Sequence, residues 1–397
     1  MMRTGKRLRL AACLAACMLS AASLSGCGKE EKKRYKIMVI GQSKEPQVAD
    51  YWKNVEKGAK DAADELGYEV TYLSPQDITK VSDQEGLIDK AKQEGVDAIC
   101  IAPNNPTKLN AKLKAASRSG IQIFTIDSDV TLDEKSDGFT ERRSYIGTNN
   151  EAVGGIAARQ AAAILAKQGE TARAVIICHS STQNSATQRV NGFQDILNTQ
   201  IRSQLSIAVQ NSEGVLNGTI PPETVETKIN SIKGTNYVSE IIYTDGTAKS
   251  AREIALKVMN EKPEVKVIFA TDEAATEGVC MAVEEAGKKG SISAIGVHCN
   301  DKIKKYLEKG VLTATMMLNP YNVGYFAVFY AGSYLADMET IRDNKKDNIM
   351  EDGSVREPSI PKTVDTGALY VTSENLKDEA VQLVLNQIAD QQDKDKE

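Results

Sequence analysis

The amino-acid sequence predicts an α/β fold made of two doubly wound lobes, each built on a parallel β-sheet. First, short apolar segments typical of strands alternate with amphipathic segments typical of helices along nearly the whole chain. Second, these strand segments are continuously apolar, as expected for a sheet that helices cover on both faces. Third, the alternation restarts near residues 145–150, and 397 residues are enough for two such units.

The first unit starts with the strand segment YKIMVIGQ at Tyr35. Residues 48–66 are predicted to form a helix because apolar residues such as Val55 and Ala59 share one face, and Gly67 supplies a stop signal. The following segments are predicted, in order, as the strand YEVTYLSP, a helix over 83–95, the strand VDAICIAPNNP, a helix over 106–120 and the strand IQIFTIDSDV.

The second unit repeats this order, beginning with the segment RSYIGTNN. Its predicted strands are RAVIICHS, VKVIFAT, SISAIGVHC, VLTATMML and TGALYVTSENL, and its predicted helices cover 151–168, 184–198, 250–261, 273–287, 301–309 and 321–338. Two polar stretches, residues 203–234 and 342–361, lack the periodicity of either element, and we predict that they are surface insertions.

The N-terminus has the pattern of an export signal. Four basic residues in the first nine positions precede the uncharged segment 10–24, which is too short for a spanning helix. The signal ends in Leu24-Ser25-Gly26-Cys27, which resembles the lipobox of bacterial lipoproteins. Residues 1–26 are therefore predicted to be removed and Cys27 to carry a lipid that anchors the chain to the membrane, with residues 27–35 as a tether. An ordinary signal peptide is the alternative.

Composition and charge exclude several classes of function. Hydrophobic residues make up 41% and charged residues 26% of the chain, which indicates a folded globular protein. The signal holds four of the 49 basic residues and no acidic one, so its removal changes the net charge from −5 to about −9 and leaves no basic excess for nucleic acid. With two histidines in the chain, no metal or other cofactor is expected.

The cysteines of the body lie in apolar segments and lack the spacing of a metal site. We expect them to be buried free thiols, and disulfides are the alternative. These residues are Cys100, Cys178, Cys280 and Cys299.

Several segments resemble the type I periplasmic binding proteins, in the branch that binds ribose and galactose. Their order and spacing match over almost the whole body of the chain, and they include KNVEKGAKDAADELGYEV, GVDAICIAPNNP, GIQIFTIDSDV, SYIGTNNEAVGG, QRVNGF, VIFATDEAATEGV, AIGVHCND and VLTATMMLNPYNVG. The Lac-repressor family shares this core, but it carries a helix-turn-helix where this chain has its signal. The resemblance implies two lobes joined by three crossovers, with a ligand in the cleft between them.

The family pattern also implies domain boundaries and a function. Lobe one is expected to contain residues 36–146 and 319–364, and lobe two residues 147–318 and 365–397. The chain is expected to be an extracytoplasmic lipoprotein that captures a sugar or a similar small polar ligand and delivers it to the permease of an ABC transporter. A lipoprotein that presents its ligand to a membrane receptor or histidine kinase is the alternative.

Candidate ligand contacts come from the strand ends and from the family pattern. In open α/β sheets, ligands lie at the carboxyl ends of the strands, and aromatic faces and carboxylates suit the apolar surface and the hydroxyls of a sugar. Positions that stack on sugar and hold its hydroxyls in the family match Tyr51, Trp52 and Asp127. The full set of candidates is Tyr51, Trp52, Asp127, Asn149, Arg189, Asp272, His298 and Asn319.

The residues leave alternatives at several of these positions. Tyr51 also fits the apolar helix face, which favours core packing, whereas Trp52 does not. Asp127 also suits a turn, Asp272 a helix N-cap and Asn149 an ordering role in the hinge.

Three of the candidates depart from the family pattern. Arg189 lies two residues beyond the position of the family's sugar-clamping Arg, so it either substitutes for that residue or lies on a helix surface. His298 stands where the family has an Asp, and Asn319 lies beside the position of a family Gln. These departures argue against ribose itself and favour another monosaccharide or a derivative.

Catalysis is not expected. The sequence has no G-x-S-x-G, P-loop, G-x-G-x-x-G or H-E-x-x-H motif. His179 and His298 follow predicted strands beside Ser or Cys, but no third residue that would orient them is identifiable.

Overall fold

The computed structural model describes residues 34–45, 49–131, 141–181 and 183–389. Within these residues, twelve strands form two six-stranded sheets. In chain order the strands are β1 Lys36–Ile40, β2 Glu69–Leu73, β3 Ala98–Ile101, β4 Gln122–Ile126, β5 Arg142–Gly147, β6 Arg173–Cys178, β7 Val238–Tyr243, β8 Val265–Ala270, β9 Ser293–Val297, β10 Leu312–Leu318, β11 Thr363–Asp365 and β12 Ala368–Val371.

The first sheet has the order β11-β5-β4-β3-β1-β2 and the second the order β12-β10-β9-β8-β6-β7. Every pairing is parallel except that of β12, which runs antiparallel to β10. Strands such as β3 and β4 are buried along their whole length, as the continuous apolar pattern predicted. The predicted doubly wound α/β class is confirmed.

Helices cover both faces of each sheet. They are α1 Ala49–Leu66, α2 Val81–Glu94, α3 Asn110–Arg118, α4 Asn150–Gln168, α5 Asn184–Gln210, α6 Glu213–Leu216, α7 Pro222–Gly234, α8 Ala248–Glu261, α9 Glu273–Glu285, α10 Asp301–Glu308, α11 Pro320–Asp343 and α12 Glu379–Ala389. In lobe one, by which we mean the first sheet and its helices, α1 and α11 cover one face, and α2 and α3 cover the other. In lobe two, α8, α9, α10 and α12 cover one face of the second sheet, and α4, α5 and α7 cover the other.

Each lobe contains a helix pair that meets at reciprocal glycines. In lobe two, a Cβ on Gly154 of α4 would lie 2.1 Å from the carbonyl oxygen of Arg189, and a Cβ on Gly192 of α5 would lie 2.0 Å from that of Glu151. In lobe one, α1 and α11 meet in the same way, because Gly58 lies against Tyr321 and Gly324 against Val55. Only glycine permits this approach of two backbones.

The chain passes between the two sheets three times, as the family resemblance implied. The passages lie between β5 and α4, between β10 and α11, and between β11 and β12. The first and third passages run side by side, where the amide of Thr366 donates to the carbonyl of Gly147 at 3.0 Å. The hydroxyls of Thr148 and Thr366 lie 3.3 Å apart, so these two connections are fastened to each other.

The structure differs from the sequence prediction in the region 203–234. Helix α5 continues to Gln210, because Ile201 and Leu205 extend the buried face of Leu197 at a spacing of four residues. A further helix, α7, begins at Pro222 after a break. The insertion is therefore mostly helical, and its exposed polar faces concealed the pattern.

Two other elements were not predicted. Strand β7 lies at the edge of the second sheet and is only partly buried, so it lacks a continuous apolar run. Helix α12 packs its buried Val381 and Val384 against lobe two.

Within residues 342–361 the chain forms a 3₁₀ turn at Lys345–Asn348 and a short antiparallel bridge between Ile349 and Val355.

The predicted signal, the lipidation site Cys27 and residues 28–33 of the tether lie outside the described residues. No helix within the described residues is both long and apolar enough to cross a membrane. The four body cysteines are free and buried, as expected.

Candidate functional site

A cavity of about 380 Å³ lies between the lobes, at the carboxyl ends of the strands of both sheets. Its size suits one small ligand. Lobe one lines it with Gln42, Glu45, Tyr51, Trp52, Ile78, Thr79 and Asp127, and lobe two with His179, Ser180, Gln183, Ser185, Arg189, Asp245, Gly246, Thr247, Asp272, Glu273, Ala274 and His298.

Two of the lining residues have an unusual backbone conformation. Asp127 follows β4 with φ of 57°, and His298 follows β9 with φ of 73°. Among the described residues they are the two non-glycine positions with positive φ. Such conformations are costly and cluster at binding sites, where they aim a side chain that regular geometry would direct elsewhere.

Tyr51 and Asp127 form a hydrogen-bonded pair within lobe one. The Tyr51 hydroxyl donates to Oδ1 of Asp127 at 2.5 Å, and Tyr145 donates to the carbonyl oxygen of Asp127 at 2.9 Å. Burial raises the pKa of the Asp127 carboxyl, against the opposing effects of the Tyr51 hydrogen bond and the Arg189 charge. One carboxylate oxygen is thus fixed by Tyr51, and the other is available to a ligand.

Arg189 is the buried cation of the cavity. It lies on α5 and is 4% exposed, which excludes the surface-helix alternative. Its Nε donates to Oδ1 of Asn150 at 2.8 Å, and its Nη1 donates to the carbonyl oxygen of Thr271 at 2.8 Å. These two bonds hold the plane of the guanidinium and leave Nη2 for a ligand.

His179 and Asp272 form a second pair, in lobe two. Nδ1 of His179 lies 2.9 Å from Oδ2 of Asp272, and Nε2 lies 2.8 Å from Oε1 of Gln183. Burial acts to lower the pKa of His179, but the charge of Asp272 and the hydrogen bonds with Asp272 and Gln183 together outweigh it, so the pKa is raised. Burial acts to raise the pKa of Asp272, but the charge of His179 and its hydrogen bond to the carboxylate help to hold this pKa below its usual value.

Asp272 also caps a helix. Its Oδ1 accepts from the amide of Ala275 at 3.0 Å, at the N-terminus of α9. Asp272 is therefore an N-cap, and it also lines the cavity in which its ligand contact is expected.

His298 presents a neutral ring to the cavity. Burial, helped by the charge of Arg189, lowers its pKa to about 3. Its ring meets that of Tyr51 edge to face, with centroids 5.4 Å apart and planes at 80°. Because Tyr51 belongs to lobe one and His298 to lobe two, this contact crosses the cleft.

The remaining candidates differ in their positions. Trp52 lines the cavity, but it is 4% exposed and also packs in the core of lobe one. Asn149 caps α4 and is exposed, and it lines a separate polar cavity of about 280 Å³ beside the first and third passages. Asn319 caps α11 and lies outside the lining of both cavities.

Sequence reasoning left several lining residues out of its candidate set. His179 stands at the end of β6, so the strand-end rule selects it, and Gln183 follows four residues later. Glu273 is the first residue of α9, and burial raises its pKa to about 7 against the hydrogen bond from Asn300. No motif distinguishes Glu273 from an ordinary first-turn acid.

The site offers hydrogen-bonding chemistry and aromatic surface. The described residues contain no group of three or more His, Cys, Asp or Glu side chains that could hold a metal ion. Several carboxylates, one guanidinium and the aromatic rings of Tyr51 and Trp52 line one cavity. This combination suits a small, hydroxyl-rich molecule.

Comparison with known proteins identifies the family. The model of the periplasmic binding protein domain matches residues 43–337. The chain belongs to the periplasmic binding protein family. As predicted, this family membership makes the chain a binding protein and not an enzyme.

Individual periplasmic binding proteins are similar at low identity. The D-ribose/D-allose-binding protein of Pseudomonas aeruginosa is 25% identical over 357 residues, which cover 88% of this chain and 97% of that one. The D-allose-binding periplasmic protein of Escherichia coli is 22% identical over 69% of this chain and 77% of its own length. The structure of a carbohydrate transporter solute-binding protein from Agrobacterium radiobacter, in complex with D-arabinose, superimposes with a TM-score of 0.66 at 24% identity, covering 89% of this chain and 100% of that one.

Proposed function

We propose that this periplasmic binding protein captures a monosaccharide, or a close derivative, in the cavity between its lobes and delivers it to the permease of an ABC transporter. The observation that carries the proposal is the pair Asp127 and Arg189. They line one buried cavity from opposite lobes, and each keeps a hydrogen-bonding atom unused by the protein. A ligand with adjacent hydroxyls can bridge them.

The ligand class follows from charge and shape. The lining contains both signs, with Arg189 and His179 beside five acidic side chains, so a strongly anionic ligand is disfavoured and a hydroxyl-rich ligand finds both donors and acceptors. The acidic residues are Glu45, Asp127, Asp245, Asp272 and Glu273. The relatives named above bind D-allose, D-ribose or D-arabinose according to their names, which supports pentoses and hexoses as the first candidates.

Closure of the cleft is the proposed mechanism. We take residues 36–146 and 319–364 as one rigid lobe and residues 147–318 and 365–397 as the other, with bending confined to the three passages. Tyr51, Trp52 and Asp127 hold the ligand from lobe one, and Arg189, Asp272 and His298 hold it from lobe two. Asn149 and Asn319, which cap the helices that follow two of the passages, order the hinge. The closed form then docks on the permease.

The proposed location is outside the cytoplasm, on a lipid anchor at Cys27. The lipobox-like Leu24-Ser25-Gly26-Cys27 after a basic and then apolar segment supports it. Cys27→Ser is expected to move the protein from the membrane fraction to the soluble fraction without changing its ligand affinity. Retention of the variant in the membrane fraction would contradict the anchor.

A thermal-shift screen with pentoses and hexoses tests ligand capture. A ligand at a hundredfold excess over its Kd stabilises the folded protein by about 2.7 kcal/mol, which is several degrees in Tm. A positive sugar should lose this effect in Asp127→Asn. If no monosaccharide or derivative shifts the Tm, the proposed ligand class is wrong. Stimulation by the loaded protein of a permease ATPase, and not of a histidine kinase, then separates delivery from sensing.

A further inference from the structure

The exposed apolar side chains of lobe one are concentrated in one segment. In the described part of this lobe, every large apolar side chain that is more than a third exposed lies between residues 329 and 355. The two most exposed are Ile349 and Met350, at 54% and 52%. Isolated exposed apolar residues are ordinary, but several on one short segment indicate a contact surface. The set is Phe329, Met338, Ile349, Met350 and Val355.

Three of these residues lie on a fixed hairpin, residues 348–356, which we call the apolar hairpin. Ile349 pairs with Val355 across it, and the amide of Met350 donates to the carbonyl of Ser354 at 2.8 Å. The base is fastened to the last turns of α11, since Arg356 binds both carboxylate oxygens of Asp337 at 2.7 and 3.0 Å. The apolar side chains are therefore held exposed by built structure.

The start of the described body is tied to the same end of α11. The hydroxyl of Tyr35 donates to Oε2 of Glu339 at 2.8 Å, and Glu339 lies two residues after Asp337, which holds the hairpin. Cys27 precedes Tyr35 by eight residues. At about 3.5 Å per residue, a lipid on Cys27 is attached within roughly 28 Å of Tyr35. The proposed lipid anchor would therefore keep this end of lobe one, with its hairpin, close to the membrane surface.

We propose that the apolar hairpin rests in the headgroup region of the membrane that holds the lipid anchor, and so fixes the orientation of lobe one on that membrane. This inference rests on the proposed lipid anchor at Cys27. Charge does not provide the attraction, because residues 342–356 contain four basic and four acidic side chains. The contact is apolar, so it is insensitive to salt. Since the turn carries Glu351 and Asp352, the hairpin lies flat against the headgroups.

The experiment uses the full lipidated chain in vesicles of phosphatidylethanolamine and phosphatidylglycerol. An environment-sensitive NBD fluorophore is attached at Met350→Cys, and the four body cysteines are buried and stay unlabelled. The matched control is Leu216→Cys, another strongly exposed apolar position (73%), which lies in lobe two. For the fluorophore at residue 350, we expect a blue-shifted emission that lipid-borne quenchers reduce, at both low and high salt. For the fluorophore at residue 216, we expect neither the shift nor the quenching.

Three results would overturn the proposal. If the vesicles bind the protein but the fluorophore at residue 350 shows neither the blue shift nor the quenching, like the one at residue 216, the hairpin does not contact lipid. The lipid anchor at Cys27 is then still supported, because the protein binds the vesicles. If wild-type protein and Cys27→Ser both fail to float with vesicles, the anchor and the hairpin proposal fail together. If a benzophenone at residue 350 forms an adduct with a protein in native membranes and none with lipid, the hairpin contacts the permease or another protein.

Discussion

Tyr51 and His298 meet edge to face across the cleft, with ring centroids 5.4 Å apart, although they belong to different lobes. It joins the residue that fixes Asp127 to a residue whose backbone has positive φ, so it links the two lobes at the centre of the site. An edge-to-face aromatic contact contributes about 0.5–1.5 kcal/mol, enough to bias an open–closed equilibrium severalfold.

His298→Ala is expected to shift the unliganded protein toward the open form, because it removes the aromatic contact between the lobes. Small-angle X-ray scattering should record a larger radius of gyration in the variant than in the wild type. Tyr51→Phe is the control, since it keeps the ring that meets His298. Equal radii for His298→Ala and the wild type would contradict this role of the contact.

Tyr51→Phe is expected to weaken sugar binding by about tenfold, because the hydrogen bond that fixes the Asp127 carboxylate is lost. Isothermal titration calorimetry measures the change. Tyr325→Phe is the matched control, since that hydroxyl binds Glu65 on the surface of lobe one. If both variants bind like the wild type, Asp127 does not depend on Tyr51 for its position.

Trp52→Ala is expected to destabilise the fold as well as the site. The side chain is 4% exposed and packs in the lobe-one core, so its truncation should cost about 3–5 kcal/mol. Chemical denaturation measures this loss. Trp52→Phe keeps most of the core contact and is the better variant for testing sugar affinity. A Trp52→Ala protein as stable as the wild type would show that the ring is not a core residue.

Glu273→Gln is expected to stabilise the protein at alkaline pH. The pKa of Glu273 in the folded protein is about 7, above the ordinary value of 4.5. Its contribution to stability is therefore present below the unfolded pKa and is lost as the pH rises through about 7. In thermal unfolding, the variant and the wild type should have similar Tm values at about pH 5, and the variant should have the higher Tm at about pH 8. A Tm difference that does not change with pH would contradict the raised pKa.

Gly154→Ala is expected to destabilise lobe two by about 1–3 kcal/mol and to weaken sugar binding, because the new methyl meets the backbone of Arg189. The adjacent Gly155 is a matched control. A Cβ there would lie 3.3 Å from the Ile196 side chain, which can move. Gly155→Ala should be nearly neutral, since the gain in helix propensity offsets the contact. Similar unfolding midpoints for both variants would show that α4 and α5 can separate without cost.

Periodicity predicted the parts of the fold that are buried. Strands that helices cover on both faces of the sheet, such as β3 and β4, have a continuous apolar pattern. This pattern can be recognised without knowing how the helices pack. The edge strand β7 and helix α7 bury little, so local sequence did not reveal them. Helix α5 was predicted too short because its last turns bury one residue in four, Ile201 and then Leu205.

Site residues that directly follow a strand could be predicted from the sequence, whereas those whose position depends on helix packing could not. Asp127, Asp272 and His298 follow strands, so the strand-end rule selects them. The rule does not reveal that Arg189 is buried, because that depends on how closely α4 approaches α5. It also does not reveal that His179 pairs with Asp272, since the two residues are 93 positions apart and only the sheet brings them together.

The positive φ angles of Asp127 and His298 limit how this cleft can change its specificity. At both positions the backbone accepts Gly, Asn, Asp or His with the least strain and opposes β-branched and bulky side chains. A new ligand preference can therefore arise there through a small set of short polar residues, one from each lobe. The bends after β4 and β9 therefore restrict which side chains can line this cleft.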